Sequence, residues 1–175
     1  EYVAEKSEEW GVSGTFLRPP ELSEPDVPVA RVHEFALDQL EKEGRFPDLV
    51  VTADITHPFR PTGFLDELIE ELLENGYDSI VPAYPERRPT FLYDGVNLQQ
   101  INQSDVRSKR QPVQISLLSL GCVTYPENIR RGDRLSGDIG VYELDNPLAT
   151  IEIHDRNDLI YWEQLRGLPN LIEEE

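Results

Sequence analysis

Hydrophobic positions recur at helical spacing in two stretches, and short unbroken apolar runs lie around them. Val29, Val32, Phe35, Ala36 and Leu40 repeat with a helical period up to Gly44. Asp26 is the expected N-cap, with Pro28 near the first turn, where proline is tolerated. Leu65, Leu68, Ile69, Leu72 and Leu73 form the clearest amphipathic pattern, ended by Asn75-Gly76. Residues 1–10 read as a polar helix stopped by Gly11. A short helix is expected around Glu127–Arg131. Asp155 is placed to cap a final helix, with Asp158 completing a box-like pair and Leu159, Trp162 and Leu165 turned inward.

Between these lie the strand candidates. Thr15-Phe16-Leu17 is short, and Leu49–Ala53 reads as a strand buried on both faces. Ser79-Ile80-Val81 begins another. Phe91–Tyr93 and Val96–Leu98 flank Asp94-Gly95, a strong hairpin signal. Val113–Val123 reads as one long strand, and Ile139–Leu144 and Thr150–His154 as the last two. Helices alternating with strands predict an α/β fold whose mixed sheet is mainly parallel. The chain shows no internal repeat and no long linker. One domain over residues 1–175 is expected, with a hairpin excursion around 88–114.

Composition narrows the class. A chain of 175 residues with 38% hydrophobic and 29% charged residues can bury a core and is not of the disordered type. No apolar run reaches the roughly 20 residues of a membrane helix, and no signal-peptide pattern opens the chain, so the expected compartment is the cytoplasm. The single cysteine, Cys122, excludes an internal disulfide framework and reads as a buried, inert thiol. The chain contains no methionine and opens inside a helix pattern, which leads us to expect a piece of a longer protein.

The net charge of −18 argues against nucleic-acid and anionic-membrane partners. Residues 87–134 are the exception, with eight basic residues against four acidic ones. Either an anionic ligand is met there, with Arg107-Ser108-Lys109-Arg110 foremost, or these cations pair with acids elsewhere on the surface.

Ligands of open α/β sheets lie beyond the carboxyl ends of the strands. Asp54 stands at one such end and Ile151-Glu152-Ile153-His154-Asp155 at another. Residues two apart on a strand share a face, so Glu152 and His154 point together. With Asp54 across the cleft, they are candidate ligands for Mg2+, or for Mn2+ given the imidazole. The alternatives are that Asp54 only turns the chain, Asp155 only caps a helix and His154 is an exposed edge residue. His33, inside a helix, reads as structural. No serine–histidine–aspartate order, zinc motif or glycine-rich phosphate loop is present.

The order of segments resembles the acylneuraminate and KDO-type cytidylyltransferases, which activate acidic sugars. The resemblance rests on Phe16-Leu17-Arg18-Pro19, Ala36–Glu41, Thr56-His57-Pro58-Phe59-Arg60, Leu72–Val81, Gly121–Tyr125 and Thr150–His154, and spans residues 1 to about 166. It implies a three-layer, Rossmann-like nucleotide-diphospho-sugar transferase fold, truncated at its N-terminus before the phosphate loop. Glu152 and His154 stand where the family has two aspartates, Leu120 where it has an asparagine, and Asp54 where it commonly has a glutamine. KDO-type members place an aspartate metal ligand after the strand equivalent to the one before Asp54.

The resemblance implies transfer of CMP from CTP to an anionic sugar, for cell-surface polysaccharide synthesis. It implies catalytic roles for Asp54 and Arg60, and substrate contacts from Arg18, Thr56, His57, Lys109, Arg110 and Gln114. It implies a metal held by Asp54, Glu152 and His154, and a homodimer formed through residues 88–114. Two further readings stand beside it, a non-catalytic nucleotide- or sugar-binding relative and an interaction module.

Overall fold

The structure, a computed structural model, describes residues 2–12, 16–102 and 106–166; Thr15 of the first strand candidate lies outside them. The chain divides into two compact units. One comprises residues 1–50 and 124–136, the other residues 51–123 and 137–175.

In the first unit, helix α1 (Tyr2–Glu9) is followed by α2 (Val29–Lys42). Phe16 and Leu17 are not in a strand; the Phe16 ring instead stands edge-on to Phe35, with centroids 5.8 Å apart. The residue at the N-cap of α2 is Pro28, not Asp26, and no side chain caps the helix there. The apolar face of α2 buries Leu37 and packs on α4 (Pro126–Arg130), which buries Ile129. Arg130 ties the two helices, donating to Asp38 at 3.5 Å and to Glu41.

The second unit carries the sheet. Its strands are β1 (Val50–Thr52), β2 (Ser79–Glu86), β5 (Val113–Ser116), β6 (Cys122–Thr124) and β7 (Ile139–Glu143). The order is β1-β6-β2, with β2 also pairing β5 and β7. β2 runs antiparallel to β5 and parallel to β7. Ala83 is in register with both Ser116 and Glu143, so β5 and β7 lie on opposite sides of β2. The sheet is therefore mixed. Helix α3 (Phe64–Asn75) packs on β2 and β7 and buries Phe64, Leu68 and Leu72; Ile80, Val81, Leu120, Cys122 and Val123 are buried as well. Cys122 is a buried free thiol.

Three expectations change. The long strand Val113–Val123 is two strands, β5 and β6, joined by a turn at 117–121. The N–H of Leu117 donates to Pro82 O at 2.8 Å, but proline has no N–H to return the bond, so the ladder stops there. The strand before Asp54 is not buried on both faces. β1 is an edge strand that buries Thr52 and leaves Val51 exposed. Residues 151–154 follow a 3-10 turn (Pro147–Thr150) and are extended without joining the sheet.

The hairpin forms its own two-stranded sheet, β3 (Phe91–Tyr93) with β4 (Leu98–Gln100). The last helix, α5 (Arg156–Leu165), starts on a full capping box between Asp155 and Asp158. Trp162 and Leu165 are half-buried, but Leu159 is exposed.

Candidate functional site

Three connecting segments of the second unit meet at one place. The first leads from β1 to α3 and brings Asp54, Thr56, His57 and Arg60. The second is the 117–121 turn between β5 and β6, which brings Ser119. The third is the extended segment before α5, which brings Glu152 and His154. Backbone bonds join them. Asp54 N–H donates to Ser119 O, and Ile153 N–H to Thr56 O, each at 2.8 Å.

Glu152 is the centre of the group. Its Oε1 accepts from the Thr56 hydroxyl at 3.0 Å, and its Oε2 lies 3.2 Å from His154 Nε2. The expected shared face of Glu152 and His154 is present. His154 is mostly exposed, whereas the His57 side chain has no exposure at all. His57 Nδ1 faces the carbonyl of Ala149 at 3.1 Å and must carry the hydrogen there, because a carbonyl only accepts. Its Nε2 is 2.9 Å from Ser119 Oγ and 3.9 Å from Glu152 Oε1. Burial pushes the Glu152 carboxyl up. The nearby Ser119 and Thr56 hydroxyls, and then electrostatic attraction to the His154 and His57 rings, outweigh that and hold it below its ordinary range.

Arg60 is turned inward on the backbone. Its Nε donates to Leu120 O at 2.7 Å and its Nη2 to Asp54 O at 2.5 Å, with Ser119 O at 3.5 Å. Burial lowers its guanidinium from its ordinary value, while Asp54 opposes the shift. This arginine braces the 117–121 turn. Gly121 fits tightly in that turn, since a Cβ there would lie 3.0 Å from Leu65 and 3.2 Å from Leu68.

The other expected site residues have partners outside this group where partners are seen. Arg18 is in the first unit, where its Nε donates to Ser23 Oγ at 3.1 Å. Arg110 and Arg87 each donate to the other's backbone carbonyl, at 2.8 and 3.3 Å. Lys109, exposed, ends a short 3-10 turn (Arg107–Lys109) before β5. Gln114 donates to Glu143 at 2.8 Å. The basic run of the sequence is thus divided between the units, and two of its members pair with acids: Arg88 with Glu86, and Arg130 with Asp38 and Glu41.

The expected metal corner also changes. Among the described residues no three His, Cys, Asp or Glu side chains are grouped to hold a metal ion, so Asp54 does not join Glu152 and His154. The backbone of Asp54 is fixed at both ends, by Ser119 and by Arg60, and His57 has both ring nitrogens engaged. The residues do not fit a protein-held Mg2+ or Mn2+ centre. Ser119 is the member of the group that sequence reasoning missed. A lone serine within an apolar run carries no periodic signal, and its side-chain partner is the distant His57.

No protein-family model matches the chain, and no curated protein matches it. Among solved structures, it is similar to the 4-diphosphocytidyl-2C-methyl-D-erythritol synthase of Anaerococcus prevotii. The identity is 12% and the TM-score 0.51, over 74% of this chain; this chain spans 64% of the length of that one. It is also similar to the 2-C-methyl-D-erythritol 4-phosphate cytidylyltransferase of Thermus thermophilus, at 17% identity and a TM-score of 0.45, over 89% of this chain and 80% of that one. The first likeness shows that the two chains share an α/β fold.

Proposed function

We propose that residues 1–175 form a cytidylyltransferase-like domain that transfers CMP from CTP to an anionic sugar and releases pyrophosphate. The product would serve cell-surface polysaccharide synthesis. The fold supports this, since the Anaerococcus protein that shares it is named for making a diphosphocytidyl compound. The observation that carries the reading is the Glu152 corner. An ionised carboxylate is fixed between the Thr56 hydroxyl and the exposed His154 imidazole, at a junction of loops beside β1. Such a group accepts a hydrogen bond from a substrate hydroxyl and aligns it for attack. The nucleotide is taken as its Mg2+ or Mn2+ complex, the usual substrate form where the protein offers few ligands. Lys109 and Arg110 are the proposed contacts for phosphate or the sugar's anionic group. Arg60 acts from behind, by holding the turn that carries Ser119.

Pyrophosphate release from CTP, measured over a panel of acidic sugars and sugar phosphates, tests the reading. Turnover should fall on the order of a hundredfold in Glu152→Gln, the scale of a lost acid–base partner. Absence of release with every acceptor, alongside measurable CTP binding, selects the second reading, a non-catalytic nucleotide- or sugar-binding relative.

We also propose a homodimer through residues 88–114. Phe91, Leu92, Tyr93 and Leu98 are exposed on β3 and β4, and an isolated two-stranded sheet is marginal in water. Light scattering across a concentration series should give a dimer, and Leu92→Asp a monomer. A monomer at every concentration in the unaltered protein contradicts the proposal.

A further inference from the structure

The hydrogens at the Glu152 corner are already committed. The Ala149 carbonyl only accepts, so the hydrogen between it and His57 Nδ1, 3.1 Å away, belongs to the ring. In the neutral ring Nε2 is then an acceptor, and the Ser119 hydroxyl at 2.9 Å donates to it. The Thr56 hydroxyl donates to Glu152 Oε1 at 3.0 Å. A hydroxyl carries one hydrogen and two lone pairs, so Ser119 Oγ and Thr56 Oγ1 have only lone pairs left to offer. The Glu152 carboxylate offers nothing else. The ring cannot be turned over to reverse this, because the Ala149 carbonyl would then face a lone pair. These oxygens are close together. Ser119 Oγ and Glu152 Oε1 lie 2.9 and 3.9 Å from the same nitrogen, His57 Nε2, and Thr56 is bonded to that Oε1. The His57 side chain is sealed from solvent, while Ser119, Thr56 and Glu152 are half-buried.

We propose that Ser119, Thr56 and Glu152 form an acceptor-only subsite, which takes neutral hydroxyl groups of a sugar and turns away carboxylate and phosphate groups. A hydroxyl brings the hydrogen that each of these oxygens lacks. An anionic group would set its lone pairs against theirs, beside a carboxylate. A divalent ion also seeks lone pairs, but two of the three groups are neutral hydroxyls, and no three metal-binding side chains are grouped among the described residues. The subsite rests on the reading of this corner as a substrate site, but the direction of its hydrogen bonds does not. Within that reading, the sugar lies with its hydroxyls on Glu152 and its acidic end turned away.

Two measurements on the whole chain test the proposal, both at about pH 8, above the usual imidazole range. Long-range proton–nitrogen NMR of the histidine rings should find the His57 hydrogen on Nδ1 and a hydrogen-bonded lone pair on Nε2. A hydrogen on Nε2 overturns the proposal, since Ser119 would then keep its own to donate. The second measurement follows the amide signals of Thr56, Ser119 and Glu152 as D-ribose, inorganic phosphate, acetate or magnesium chloride is added. D-ribose should shift them saturably, and phosphate and acetate should not. In Thr56→Val and Ser119→Ala the affinity for D-ribose should fall about two- to tenfold, the scale of one hydrogen bond, with the other amide signals reporting that the fold is kept. Saturable shifts from phosphate or acetate, shifts from Mg2+ in place of D-ribose, or no shift from any probe overturn the proposal. Unchanged D-ribose affinity in the folded variants does so too. Neither measurement uses pyrophosphate release, so failure of the transferase reading shows separately, as missing CTP turnover in a protein that still binds D-ribose.

Discussion

Protonating Glu152, which accepts from the Thr56 hydroxyl, gives it a hydrogen that must find an acceptor of its own. Its folded-state value lies below the ordinary one, so the network's contribution to stability is complete above about pH 4.3, the usual glutamate value. That contribution is lost as pH falls through the lower, folded value. Glu86, held down to about 2 by Arg88, and Asp158, held down by the backbone N–H groups of His154 and Asp155, act in the same direction. Acid unfolding should begin below about pH 4, and Glu152→Gln should flatten the first part of that decline in a denaturation series. At residue scale the sequence revealed Glu152 and His154 because alternation along an extended segment needs only local geometry. It did not reveal Ser119, and it placed Asp54 with them wrongly, because both depend on how distant segments meet.

At the scale of elements, local chemistry was the better guide. The Asp155–Asp158 box was readable three residues apart, and it forms, with Asp155 accepting from Asn157 N–H and Asp158 N–H at 2.6 and 3.1 Å. Asp155→Ala should cost about 1 kcal/mol in chemical denaturation and Asp155→Asn a few tenths at most, since asparagine also caps. The division of Val113–Val123 was harder to see. The proline that interrupts it is Pro82, on the neighbouring strand, and a strand's apolar run says nothing of its partner's missing N–H. β7 shows the same dependence on neighbours. A Cβ on Gly140 would lie 2.3 Å from the Tyr77 ring, so the residue on one element is dictated by the one before another. Gly140→Ala should destabilise by roughly 1–3 kcal/mol, the range for overpacked cores, as read from melting or urea midpoints.

At the scale of the whole molecule, the alternating pattern gave the α/β class and concealed the division into two units. The residues of the first unit are not continuous, for its helix α4 is reached only after the chain has traced most of the second. The run of basic residues in sequence is therefore shared between the two units, and Arg130 serves the first by joining α4 to α2. That interleaving sets a timetable for the nascent chain. Helix α2 leaves the ribosome early, but the helix that covers it does not exist until Arg130 has been added. At a synthesis rate of about 5–20 residues per second, α2 waits roughly 5 to 20 seconds with its apolar face uncovered. Helix α2, made well before its covering helix, is thus late to close, and its passage through synthesis should depend on chaperones. Nascent chains stalled after Val123 should leave the α2 amides open to hydrogen exchange, and chains stalled well beyond Ser136 should protect them.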